Sequence, residues 1–303
     1  MVRINHILCG IDFSDFSLEA LRHGLVLARW YSARLTLLHV YPATRPLVET
    51  VPGGVPIFLG TDPEIAKEEV RRLCGPLLEA AGRDAEIVVC PGDPTREITK
   101  QAEQLGADLL ILGTHGKGGF ERLFLGSVAE KVLRSTPVPV LTIPPPVREP
   151  RSPVYKTILC PVEFSGASLR ALEYALSLAR EAGARLIVLH AIEEVLARHE
   201  GEALAHLPLS EHYRRLERDA RERLDALIPG DAADWCRPET RLAWGRAHEQ
   251  ILGTVAAEHV ELVVMGVQGR SAVNRWVFGS TTHRVIREAA CPVLTLRAPT
   301  DGG

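Results

Sequence analysis

The sequence predicts two tandem α/β domains, each a doubly wound, five-stranded parallel sheet. Three observations carry this. The chain repeats itself: "HILCGIDFSDFSLEALRHGLVLARWYSARLTLLHV" from His6 returns, without a gap, as "TILCPVEFSGASLRALEYALSLAREAGARLIVLHA" from Thr157. In each copy, short apolar runs alternate with segments of helical period, which gives right-handed crossovers between parallel strands. The runs are apolar on both faces, as in a sheet buried on both sides.

The elements follow in order. In the first copy "INHILCGI" is a strand, and Leu18, Leu21, Leu25 and Ala28 then recur at helical spacing. "ARLTLLHV" is the second strand; a long loop and a helix near Pro63 to Ala81 follow, then the third strand, "EIVVC". "DPTREITKQAEQLG" opens on Asp93 as N-cap, carries Glu97 in its first turns and stops at a glycine. "ADLLILG" is the fourth strand, a helix starts at about Ser127, and "VPVLTI" is the fifth strand. In the second copy "LARHEGEALAHLPLSEHYRRLERDARERLDAL" replaces the loop and helix. Between the copies lies "PPPVREPRSP", whose prolines favour a stiff, extended spacer. The domains are expected at 1–146 and 154–303, with a linker at about 147–153.

The 303 residues suffice for two domains of ordinary size, and a net charge of -3 shows none of the basic excess of nucleic-acid binders. No run approaches the roughly 18 apolar residues of a membrane span. "MVRINHILCGID" reads as a strand rather than a secretion signal, so a cytoplasmic protein is expected. The six cysteines form no C-x-x-C pair and read as core thiols. His199, His206 and His212 cluster in the divergent insert, where an amphipathic lid or dimer surface is weighed above a zinc site.

Chemistry concentrates in two loops. "GTHGKGGFERLFLGS" (Gly113–Ser127) and "GVQGRSAVNRWVFGS" (Gly266–Ser280) share the spacing G-x2-G-x9-G-S. Neither has the Gly-Lys-Ser/Thr ending of a Walker loop. In a doubly wound sheet ligands sit at the carboxyl ends of strands, where strand order reverses. Gly113 and Gly116 would let the backbone approach a ligand and take positive φ. Gly126 and Ser127 fall where a helix starts, a setting that favours an anion. Lys117 and Arg122 reappear as Arg270 and Arg275. His115 becomes Gln268 and reads as a polar loop residue. Asp12, at the end of the first strand, suits an exocyclic amine or a ribose hydroxyl; its plain alternative is a turn or cap residue. His39 and His190 end matching strands and read as structural.

This pattern, with Asp12 after the first strand, resembles the universal stress protein family over nearly the whole chain. The resemblance implies two Rossmann-like or flavodoxin-like domains. It also implies an adenine nucleotide, ATP with or without Mg, or AMP or ADP, although some members bind none. Carried over, Asp12 and the backbone at Val40 meet adenine, and Gly113 and its neighbours the ribose. Gly116, Gly126, Ser127 and Val128 hold phosphates. The second copy supplies Ala191, Gly266, Gly269, Gly279, Ser280 and Thr281, and departs from the pattern at Glu163. With no general base or metal-binding carboxylate pair in view, a stress-response regulator with little or no turnover is expected. The alternatives are a slow ATPase and a partner or metal module of the same fold. A pyrophosphatase is disfavoured because "GIDFSD" and "PVEFSG" stand where an S-G-G-x-D-S loop belongs. The family commonly pairs through its last strand, here Val138–Ile143 and Pro292–Leu296, which implies an internal pseudo-dimer and leaves a homodimer open.

Overall fold

A computed structural model of the chain describes residues 2–42, 62–114, 125–144, 155–193, 209–267 and 279–298. The chain divides into two compact units, residues 3–153 and a unit that begins at Val154. The first runs β1 (His6–Gly10), α1 (Asp15–Tyr31), β2 (Arg34–Tyr41), α2 (Pro63–Ala80), β3 (Glu86–Pro91), α3 (Pro94–Gln104), β4 (Leu109–Gly113), α4 (Ser127–Ser135) and β5 (Val140–Ile143). Its strands pair in parallel in the order β3-β2-β1-β4-β5. The second runs β6 (Thr157–Pro161), α5 (Gly166–Ala182), β7 (Arg185–Ile192), α6 (Leu209–Asp225), β8 (Arg237–Trp244), α7 (Ala247–Ala257), β9 (Leu262–Gly266), α8 (Ser280–Glu288) and β10 (Val293–Leu296). Its parallel order is β8-β7-β6-β9-β10. Strand order reverses between β1 and β4, and again between β6 and β9.

The expected elements form for the expected reasons. Ile7, Leu8 and Cys9 of β1, and Ile158, Leu159 and Cys160 of β6, are wholly buried, so both central strands are covered on each face. Helix starts are capped: Ser14 accepts from Ser17 N–H, Asp62 from Glu64 N–H and Asp93 from Arg96 N–H. Pro63 and Pro94 stand in the first turns of α2 and α3, where a missing N–H does no harm. The first strand starts later than "INHILCGI" suggests. The Asp108 carboxylate takes the N–H groups of Asn5 and His6 at 2.7 and 3.1 Å, so a side chain fastens the start of the strand.

Five cysteines are buried core thiols, whereas Cys90 is only half-buried. Burial pushes the Cys74 thiol up to about 11 and Cys291 up to about 12, so both stay neutral. Arg185 and Arg241 each pair with both Glu239 and Glu258, closing a four-residue ring of charge on the second unit. Among the described residues no helix is long and apolar enough to cross a membrane.

Candidate functional site

The candidate site in each unit lies where the first strand stops and its neighbours continue. In the ladder, Leu38 turns its carbonyl to β1 and accepts from Ile11 N–H at 2.8 Å. Two residues on, Val40 turns its N–H and C=O to the same edge, but there β1 has already ended. Leu189 accepts from Val162 N–H at 2.8 Å in the second unit, so Ala191 takes the matching place. Asp12 and Glu163 leave the ends of β1 and β6 beside these edges.

The turn that carries the carboxylate is unusual. Phe13 has φ 62° and Phe164 has φ 60°, a left-handed conformation that costs a bulky residue on the order of 1–2 kcal/mol. Asp12 Oδ1 accepts from Ser14 N–H at 3.0 Å and from the Ser14 hydroxyl. Asp12 is therefore a turn residue, and Ser14 is the helix cap. In the second unit the Ser168 hydroxyl takes the Ser165 N–H at 3.0 Å, and Glu163 Oε1 accepts from the Ser165 hydroxyl at 3.0 Å. The two carboxylates thus sit in turns bonded in different ways. Asp12 is exposed and Glu163 half-buried.

Gly113 does not take the positive φ expected of it. A Cβ there would lie 2.9 Å from Phe16 Cβ and 3.1 Å from the Phe16 carbonyl carbon. At Gly266 it would lie 2.8 Å from the Ala167 carbonyl carbon. Both glycines let the start of α1 or α5 press against the end of β4 or β9. Composition alone gives no sign of that contact.

The loops then close on themselves. Gly126 N–H donates to the Thr114 carbonyl at 2.6 Å, and Gly279 N–H to the Val267 carbonyl at 3.0 Å. Each loop leaves its strand and returns to the same spot, where α4 or α8 begins. No side chain among the described residues caps either helix, in contrast to α1, α2, α3 and α5. Exposed Ser127 and Ser280 open the two helices, followed by half-buried Val128 and Thr281. Thr282 hydroxyl ties α8 to the Gly266 carbonyl at 3.0 Å, and Thr114 hydroxyl ties the strand end to Ile143 at 3.1 Å. These N–H groups and the helix dipole form an anion-binding setting.

The surroundings of the two helix starts differ in charge. Asp93 beside α4 becomes Arg246 beside α8, Thr95 becomes His248, and Glu130 becomes His283. His248 Nε2 lies 2.8 Å from Arg284 of α8. His115, Gly116, Lys117, Gly269 and Arg270 fall outside the described residues, as do His199 and His206 of the insert. His212 is described, with its ring 6.1 Å from Tyr213.

A doubly wound α/β domain with a glycine-closed loop at its switch point is thus present twice. The universal stress protein family model matches residues 3–144 and again 154–297, and the chain belongs to that family. A universal stress protein of Mycolicibacterium smegmatis is 26% identical over 309 residues, covering 96% of each chain. One from Thermus aquaticus is 37% identical over 144 residues, covering 48% of this chain and all of its own. Among solved structures, a universal stress protein from Archaeoglobus fulgidus aligns with a TM-score of 0.70 at 22% identity, covering 98% of this chain and 100% of its own. That likeness speaks to the fold.

Proposed function

We propose that each unit binds an adenine nucleotide, ATP foremost, and that the protein acts as a cytoplasmic stress-response regulator with little or no turnover. The observation that carries this is the closed loop, in which a glycine N–H bonds back to the strand end and leaves a helix start uncapped, at the same place in both units. In this reading the Val40 N–H and C=O meet the acceptor and the donor of the adenine edge, respectively, and Asp12 accepts from the exocyclic amine. The ribose lies over the end of β4, and the phosphates meet the N–H groups of Ser127 and Val128 and the Ser127 hydroxyl. Gly116 and Lys117 belong to the same loop. Ala191, Glu163, Ser280 and Thr281 play these parts in the second unit, with Gly269 and Arg270 in its loop. A metal carried with the phosphates would neutralise their charge.

The test is calorimetric titration with ATP-Mg of the wild type and of Ser127→Asp/Ser280→Asp. An acid in the first turn suits the helix dipole but repels phosphate. The double variant should keep its melting temperature and lose binding at both sites. A wild type silent at millimolar ATP-Mg, or a double variant that binds as wild type does, overturns the reading. Turnover is expected below roughly 1 per second.

A further inference from the structure

One imidazole in each unit grips the chain on both sides of the carboxylate residue. His39 Nδ1 lies 2.7 Å from the Ile11 carbonyl, just before Asp12. Its ring packs against Phe13, just after Asp12, with centroids 4.3 Å apart. In the second unit His190 Nδ1 lies 2.7 Å from the Val162 carbonyl, and its ring is 4.7 Å from Phe164. Glu163 stands between those two contacts. A carbonyl only accepts, so Nδ1 is the donor nitrogen of each ring.

We infer that His39 and His190 are positioning residues for the base end of the two sites, holding the carboxylate turn in its left-handed form. This rests on the nucleotide reading above. The two copies have diverged at the carboxylate itself, and Phe16 has become Ala167, yet the histidine, the phenylalanine and both contacts are the same. The starts of α1 and α5 do not depend on the imidazoles, because Ser14 and Ser165 cap them. The imidazoles act instead on residues 11 and 13, and 162 and 164, which set where the carboxylate points. In the second unit Arg223 adds a cation over the Phe164 ring, 4.0 Å from its centroid.

The test separates base from phosphate. His39→Phe/His190→Phe keeps an aromatic ring and removes the Nδ1 donor; His39→Asn/His190→Asn places an amide N–H near the old Nδ1. ATP and inorganic tripolyphosphate are titrated separately into each full-length protein. The phenylalanine pair should weaken ATP by roughly tenfold, the worth of one lost hydrogen bond, and leave tripolyphosphate within about twofold. The asparagine pair should recover most of the ATP affinity. Phe13→Gly/Phe164→Gly, which relieves the positive φ and removes the ring, should show the same split without loss of melting temperature. Equal weakening of both ligands, or unchanged ATP affinity in either the phenylalanine or the glycine pair, overturns the inference while the nucleotide reading stands. Failure of the wild type to bind ATP removes both.

Discussion

At Asp12 one carboxylate oxygen takes both the N–H and the hydroxyl of Ser14, whereas in the second unit Glu163 takes the hydroxyl of Ser165 and the Ser165 N–H goes to Ser168. The difference is one methylene, but its effect is on which groups of the turn hold the carboxylate. Glu163→Asp should let the second turn close as the first does. The expected outcome is a tighter second binding event, by about three- to tenfold, seen as two ATP sites drawing together in calorimetry. An unchanged second site would mean that this carboxylate does not meet the ligand. The exchange of Asp12 for Glu163 is visible in the aligned copies. The transfer of the Ser165 N–H to Ser168 is not, because Ser17 and Ser168 are the same residue type and differ only in what they bond. The positive φ of Phe13 is equally hidden, since a phenylalanine is a poor sequence signal for a left-handed turn.

Among the elements, α3 and α7 show how a lost cap is replaced from a distance. Gly92 and Gly245 donate alike to the ends of β2 and β7, at 2.9 and 3.0 Å. The next residue caps α3 when it is Asp93, but Arg246 cannot cap α7. There Glu193, just past β7, accepts from Ala247 N–H at 2.8 Å. Glu193→Ala should destabilise the second unit by about 1 kcal/mol, and adding Arg246→Asp should restore most of it. Denaturant unfolding of the two variants checks this; a double variant no better than the single one would refute the exchange. The Asp93 cap is legible because it lies beside its own helix. The Glu193 cap arrives from another strand end, 54 residues away in sequence, and local pattern does not reach it. Gly113 is a similar case: its place in a repeated motif is plain, but the reason for it is the backbone of Phe16.

Across the whole molecule the two units share a topology and differ in a buried imidazole. His23 on α1 is buried, and desolvation holds its pKa down to about 4 despite Glu19 at 3.8 Å. The equivalent residue of α5 is Tyr174. Folded His23 stays neutral where the unfolded chain already takes up a proton. Its stability contribution is therefore complete above the unfolded pKa near 6.5 and drains away as pH falls towards about 4, by about 3 kcal/mol in all. Thermal scans between pH 7 and pH 4.5 should move the first unit's transition downwards ahead of the second's. His23→Tyr should remove the excess shift, and a variant that keeps it would locate the acid sensitivity elsewhere. The Arg185, Arg241, Glu239 and Glu258 ring has no counterpart in the first unit, where Val88 and Leu105 replace two of its members. At this scale the repeat and its alternation reveal the tandem architecture and the strand succession. Burial of a single imidazole depends on packing that periodicity does not report.

The bonds from Gly126 to Thr114 and from Gly279 to Val267 also have an evolutionary meaning. A segment whose two feet stand on one spot is a removable handle: its length and content can change while the strand before it and the helix after it keep their register. The fold thereby separates what can vary in the loop from what holds the domain together. One gene carrying two such handles can change either one while the other is kept.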